Sequence, residues 1–197
     1  LLHFSISYTV LRMVSKTSCL FSGFIRVDSL QIVIDNPYEA VRIAILIRAG
    51  LQKSTPEGSE IKWDARLALG LGSVNFSQEE SVTESDGEAF RNSGWEFDEL
   101  GKRKLAIRTP WQNMNDELKV STAFADDIVS EWSVAQAQAI YASLIHSKTQ
   151  KEIAADLNTS PQNISKRIIA GKEYLIRPYL DRCKQIITAK IQTDGIK

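Results

Sequence analysis

The hydrophobic and polar positions change their period near residue 110. Before it, strand-like runs interleave with helical spacing; after it, only helical spacing remains. The first 35 residues are rich in β-branched and aromatic types. Residues 23–27 and 30–34 read as two short strands around Asp28 and Ser29, a tight hairpin by spacing and turn chemistry. Asn36 and Pro37 stop the second strand and open a helix. Over residues 38–51, Ala40, Val41, Ala44, Ile45, Ile47 and Leu51 recur at helical spacing, with Glu39, Arg42 and Arg48 placed elsewhere. Residues 53–59 form a loop with Pro56 and Gly58. Residues 64–74 alternate through Ala65, Leu67, Leu69 and Leu71 as a strand, where Gly70 and Gly72 predict a bulge or a close backbone approach. A polar, acidic loop over 77–85, a helix over 87–100 and a short strand over 105–108 follow.

From Trp111 onward nothing reads as strand. Residues 116–130 are a connecting helix and 133–145 a second, with Val134, Ala137, Ile140, Tyr141 and Leu144 on one face. Thr149 with Glu152 three residues on is a capping box for a helix over 150–157, which buries Ile153, Ala154 and Leu157. Asn158 and Thr159 make the turn, where Asn tolerates the left-handed conformation. Ser160 caps the next helix and Pro161 takes its first position. Ile164 and Ile168 then face inward, leaving Gln162, Asn163, Ser165, Lys166 and Arg167 outside. A long helix after Gly171 is more apolar than one monomer face requires, so it packs on the first domain or on a second copy. The expected organisation is an α+β domain over 1–110, a connector over 111–131 and an all-helical domain over 132–197.

Charge sharpens this division. Lys+Arg and Asp+Glu are both 24, so the formal net charge is zero. Residues 1–131 hold 14 basic and 19 acidic residues, and residues 132–197 hold 10 and 5, so the two parts carry −5 and +5. A wholly basic coat protein is excluded; a neutral protein with one basic end is a different proposition. The basic end is a helix-turn-helix by pattern. Gln162 and Asn163 offer amides suited to adenine, and Lys166 and Arg167 cations suited to guanine, with Ser165 beside them. Lys148, Lys151, Lys172 and Arg177 are candidates for phosphate contacts. The pattern TQKEIAADLNTSPQNISKRI resembles the helix-turn-helix of sigma-factor region four and of two-component response regulators. The partner this implies is double-stranded DNA, and a homodimer would suit paired half-sites. Such helical units also serve as protein adaptors, which is the competing reading.

Three fragments of the first domain carry a second resemblance. IRVDSLQIVIDNPYEAVRIAILIRAGL, DARLALGLGSVNF and ESDGEAFRNSGWEFDEL, in that order, resemble SatD-type proteins and, more remotely, class III nucleotide cyclases and GGDEF proteins, over residues 22–108. The resemblance implies a ferredoxin-like sheet with a central hairpin. It also implies a triphosphate site in which two carboxylates hold divalent ions. Asp28 matches the hairpin acid, but Val27 stands where the family has Gly. Residues 1–27 contain no Asp or Glu, are barely long enough for strand, helix and strand, and start with Leu rather than Met. The expectation is therefore a sheet lacking the family's first strand, through truncation or divergence, and no paired metal carboxylates.

Asp86, Gly87, Glu88 and Arg91 match the second motif, where a helix N-terminus would suit an anion; Ser85 capping that helix is the plainer account. Asp28, Asp86, Gly87 and Arg91 are thus the candidates for a small-molecule or nucleotide ligand. No catalytic set, metal site or cofactor is predicted: His3 and His146 are isolated, and Cys19 and Cys183 lie far apart. Reduced thiols and the lack of an apolar run of about 20 residues point to a cytoplasmic protein without a membrane span. The leading expectation is a bacterial-type transcriptional regulator with a non-catalytic sensor or dimerisation domain. A phosphoryl-transfer enzyme using Asp28 is the rival.

Overall fold

The structure is a computed structural model that describes residues 2–7, 25–26, 29–34, 36–73, 87–146 and 148–194. It is a mixed α+β molecule. Strands β1 (Leu2–Ser7), β2 (Ile25–Arg26), β3 (Ser29–Ile34), β4 (Arg66–Leu71) and β5 (Leu105–Arg108) form one sheet in the order β2-β3-β1-β4-β5. β1 runs antiparallel to β3, pairing Leu2 with Ile34 and Ser7 with Ser29, and antiparallel to β4, pairing Leu2 with Leu71 and Ser7 with Arg66. β5 runs parallel to β4.

The missing first strand is corrected by this arrangement. A strand precedes the hairpin and lies at the centre of the sheet. Its signal is the alternation of Leu2, Phe4 and Ile6 with His3, Ser5 and Ser7. The hairpin also shifts by one residue. Arg26 pairs with Ser29, so the connection falls on Val27 and Asp28 rather than on Asp28 and Ser29. Both connecting residues lie outside the described residues, as do the acidic loop over 77–85 and Cys19.

Asn36 accepts a hydrogen bond from the Tyr38 amide and opens a 3-10 turn, Pro37–Glu39, which leads into α1 (Ala40–Lys53). The sheet separates two packings. Ile32 and Ile34 of β3, Leu67, Leu69 and Leu71 of β4, and Leu105 and Ile107 of β5 join α1 in the main apolar core. The alternate positions of β4, Ala68 and Gly70, are small, and α2 (Glu88–Asp98) lies close against that face. The close approach expected at Gly70 is present: a Cβ there would strike the Ala89 carbonyl oxygen and the Ser93 amide nitrogen. Asn92 completes the joint by donating to the Leu71 carbonyl at 2.7 Å.

Helices α3 (Gln112–Ser130), α4 (Val134–His146), α5 (Gln150–Asp156), α6 (Pro161–Ala170) and α7 (Glu173–Asp194) complete the chain. The main core does not stop near residue 131: it includes Val129, Trp132, Ile140 and Leu144 as well as Ile176, Leu180, Cys183 and Ile187. Ile176, Leu180, Cys183 and Ile187 of α7 are thus buried within the chain, where α7 meets α1 and α3, while Tyr174 and Leu175 at its start stay exposed. Burial pushes the Cys183 thiol up to about 12, so it stays protonated as a small apolar group.

Arg48, assigned by periodicity away from the apolar face, is fully buried. Its guanidinium donates to Asp64 from Nε and Nη2, each at 2.9 Å, to Asp126 at 2.6 Å and to Ser130 Oγ at 2.9 Å. Lys104 adds an ammonium to Asp64 at 3.0 Å and a backbone N–H to Asp126 at 2.9 Å. Arg48 therefore ties α1 to α3 and to the approach to β4, and Lys104 joins the approach to β5 to the same two carboxylates.

Candidate nucleic-acid interface

Local chemistry fixes α5 and α6. The Thr149 hydroxyl accepts from the Glu152 amide at 3.3 Å, and Glu152 Oε2 accepts from the Thr149 amide at 2.8 Å. The expected capping box is therefore complete. The same hydroxyl and amide hold the exposed Glu152 carboxyl below its usual range. Asn158 takes the left-handed conformation with φ of 47°. Ser160 Oγ accepts from the Asn163 amide at 3.2 Å, with Pro161 next to it at the start of α6.

Replacing either cap by Ala is expected to cost about 1 kcal/mol each. Thermal unfolding of Thr149→Ala and Ser160→Ala measures it, and unchanged midpoints would contradict this assignment of the helix ends.

A small apolar core braces the unit: Ala139 of α4, Ile153 and Ala154 of α5, and Ile164 of α6 are buried, with Ala142, Leu157 and Ile168 partly so. Ala139 and Ala154 let the helices approach closely. The opposite side of α4 packs on α1 through the main core, so this helix serves both units. Two arginines fix its C-terminal end, where carbonyls lack helical partners. Arg42 of α1 donates to the Leu144 carbonyl, and Arg177 of α7 to the Ser143 carbonyl at 3.2 Å.

The outward residues of α6 sort by exposure. Gln162, Asn163 and Lys166 are exposed, and Ser165 and Arg167 are half-buried. Gln162 and Lys166 are four residues apart and so share one edge of the helix. Asn163 Nδ2 donates to Thr159 Oγ1 at 3.2 Å, which orients its amide. Lys151 is exposed in the first turn of α5, and Lys172 is exposed just after α6 with φ of 56°. Among the described residues no ion pair engages Lys151, Lys166, Arg167 or Lys172. Lys148 is engaged by Asp156.

Arg177, a candidate phosphate contact by sequence, is committed elsewhere. It binds Glu173 at 2.7 Å and Ser143 Oγ at 2.8 Å, and Ser143 in turn donates to buried Glu173 at 2.7 Å. The four-residue spacing of Glu173 and Arg177 was the available signal. Sequence reading also passed over Ile169 of α6, which is 63% exposed.

The second candidate site is only partly visible. Asp28 and Asp86 lie outside the described residues. Gly87 is buried at the entry to α2, and Arg91 is exposed one turn on. Among the described residues no group of three or more His, Cys, Asp or Glu is placed to hold a metal, and no helix is long and apolar enough to cross a membrane. Set against protein-family models, curated proteins and solved structures, the chain matches none of them.

Proposed function

We propose that this protein is a DNA-binding transcriptional regulator that inserts α6 into the major groove of double-stranded DNA. The observation that carries the reading is the exposed row Gln162, Asn163 and Lys166, which runs from the capped start of α6 to its middle. The apolar core beneath it includes none of those side chains, and Asn163 bonds only Thr159 at the surface among the described residues. In this reading Gln162 and Asn163 address adenine edges, and Lys166 with Arg167 addresses guanine. Lys151 and Lys172 bind phosphates and set the register, and Ser165 lies at the edge of the contact. Lys148 joins them only by leaving Asp156.

The sheet domain is then a ferredoxin-like, SatD-type scaffold. The strand order supports this: β1 lies between β3 and β4, antiparallel to both, with the short hairpin strand β2 beyond β3. Its role is sensing or scaffolding without catalysis, with the loop entry near Gly87 and Arg91 as the place for a small ligand.

The test is fluorescence anisotropy of a mixed-sequence duplex at two salt concentrations, followed by selection of the preferred site from random DNA. Binding is expected to weaken steeply with salt as counterions are released. On the selected site, Gln162→Ala or Arg167→Ala is expected to cost about 1–3 kcal/mol and to relax sequence preference. Lys172→Ala should instead weaken all sequences alike and reduce the salt slope by about 1. No binding at low salt, or equal affinity of wild type and all three variants, overturns the reading.

A further inference from the structure

Two exposed apolar sets remain on the helical part, framed by opposite charge. Val120 and Phe124 of α3 are 60% and 71% exposed. The other side of α3, including Leu118, Thr122, Ala125 and Val129, is buried. At 100° per residue, Val120 and Phe124 both fall on the outer side of the helix, away from those residues. Glu117, Asp127 and Glu131 are exposed in the same outer row. Glu117 is held by Arg182, at 2.8 Å, while no ion pair among the described residues engages Asp127 or Glu131. The second set is Tyr174 and Leu175, 63% and 46% exposed at the start of α7. It follows Lys172 and lies in the part of the chain that carries +5.

Single exposed apolar residues need no explanation. A bulky pair at successive turns in an acidic row is different, because charge restricts what can cover it. A second α3 fits it less well. Paired in parallel, Asp127 and Glu131 would each meet their own copy, like charge against like. Crossed antiparallel about Thr122, Val120 would meet Phe124, but Glu117, which already holds Arg182, would face Asp127, and Glu131 would meet no cation of the other α3. The start of α7, apolar and beside an unpaired lysine, has the complementary character.

We propose that copies of this chain associate head to tail, the outer face of α3 on one copy receiving Tyr174 and Leu175 of the next. The contact is heterologous, so it builds a ring where the rotation closes and a chain where it does not. It needs no DNA and no base contact by α6, and it shares only Lys172 with that reading.

Sedimentation velocity over a range of protein concentrations tests it. The wild type is expected to gain mass with concentration and to lose it at high salt. Phe124→Ser and Leu175→Ser, both at exposed positions, should each keep the native circular dichroism and sediment as monomers. Mixed in equal amounts, they should form a dimer and go no further, because each supplies the surface the other lacks. A wild type that stays monomeric, a single variant that associates like wild type, or a mixture that stays monomeric overturns the proposal.

Discussion

Replacing Arg48 with Met is expected to remove about 3–5 kcal/mol of folding stability, because the change leaves buried carboxylates without their cation. Asp64 and Asp126 are nearly as buried as the arginine, with side chains 5% and 8% exposed. Asp64 keeps Lys104, but Asp126 keeps only the hydroxyl of Ser130 and the Lys104 amide. Against a total stability of about 5–15 kcal/mol for a native protein, this is a large share for one side chain. Urea unfolding followed by circular dichroism measures it. Asp64→Asn, which keeps the shape and an acceptor oxygen, should lose less. A midpoint for Arg48→Met equal to wild type would show that the cluster contributes nothing net.

The same cluster sets a response to acid. Burial pushes the Asp64 carboxyl up, but the hydrogen bonds and charges of Arg48 and Lys104 together outweigh it and hold the carboxyl below its ordinary value. A carboxylate depressed in the folded state contributes stability above its unfolded pKa, about 3.9, and loses that contribution as pH falls through the folded value. The contribution of Asp64 is therefore complete at neutral pH and is lost only in acid. Asp64→Asn should flatten the acid limb of the stability profile, and a limb unchanged by the substitution would exclude this carboxylate as its source.

Arg48 marks where reading the sequence runs out. Within 38–51 the apolar positions predict α1, and the structure places Ala40, Val41, Ala44 and Ile45 in the core as expected. The partners that draw Arg48 inside stand at 64, 104 and 126, and no local pattern brings those positions together. The caps at Thr149 and Ser160 were legible for the opposite reason: donor and acceptor lie within three residues, so spacing alone specifies them. The outward row of α6 follows from the same local logic once Ile164 is known to face inward. β1 is a third case. Its alternation is visible in Leu2–Ser7, but a six-residue pattern is short, and residues 1–27 are barely long enough for the strand, helix and strand that the family resemblance implies. Its place between β3 and β4 depends on pairing with residues 29–34 and 66–71, which is nonlocal information.

Two glycines facing different surroundings give the second large effect, with opposite signs. Gly70→Ala puts a methyl where the Ala89 carbonyl oxygen and the Ser93 amide nitrogen already stand, and Ser93 Cβ is 3.0 Å away. Both backbone atoms belong to α2, so relief requires the whole helix to retreat from β4 and strains the hydrogen bond from Asn92 to Leu71. Overpacking of this kind typically costs about 1–3 kcal/mol, and backbone neighbours place this site at the upper end. Gly94 lies within α2 itself, exposed, with nothing within 4 Å of its added Cβ. There an Ala removes a flexible residue from a helix interior and should stabilise by about 0.5–1 kcal/mol. For a chain of this size each kcal/mol moves the unfolding midpoint by about 2–4 °C, so thermal denaturation separates the two variants clearly. α2 covers the face of the sheet opposite the main core, to which α4 belongs, so Gly94→Ala should leave any binding by α6 unchanged. If Gly70→Ala proved as stable as Gly94→Ala, the close seating of α2 on β4 would be wrong, and with it the account of why β4 alternates leucine with alanine and glycine.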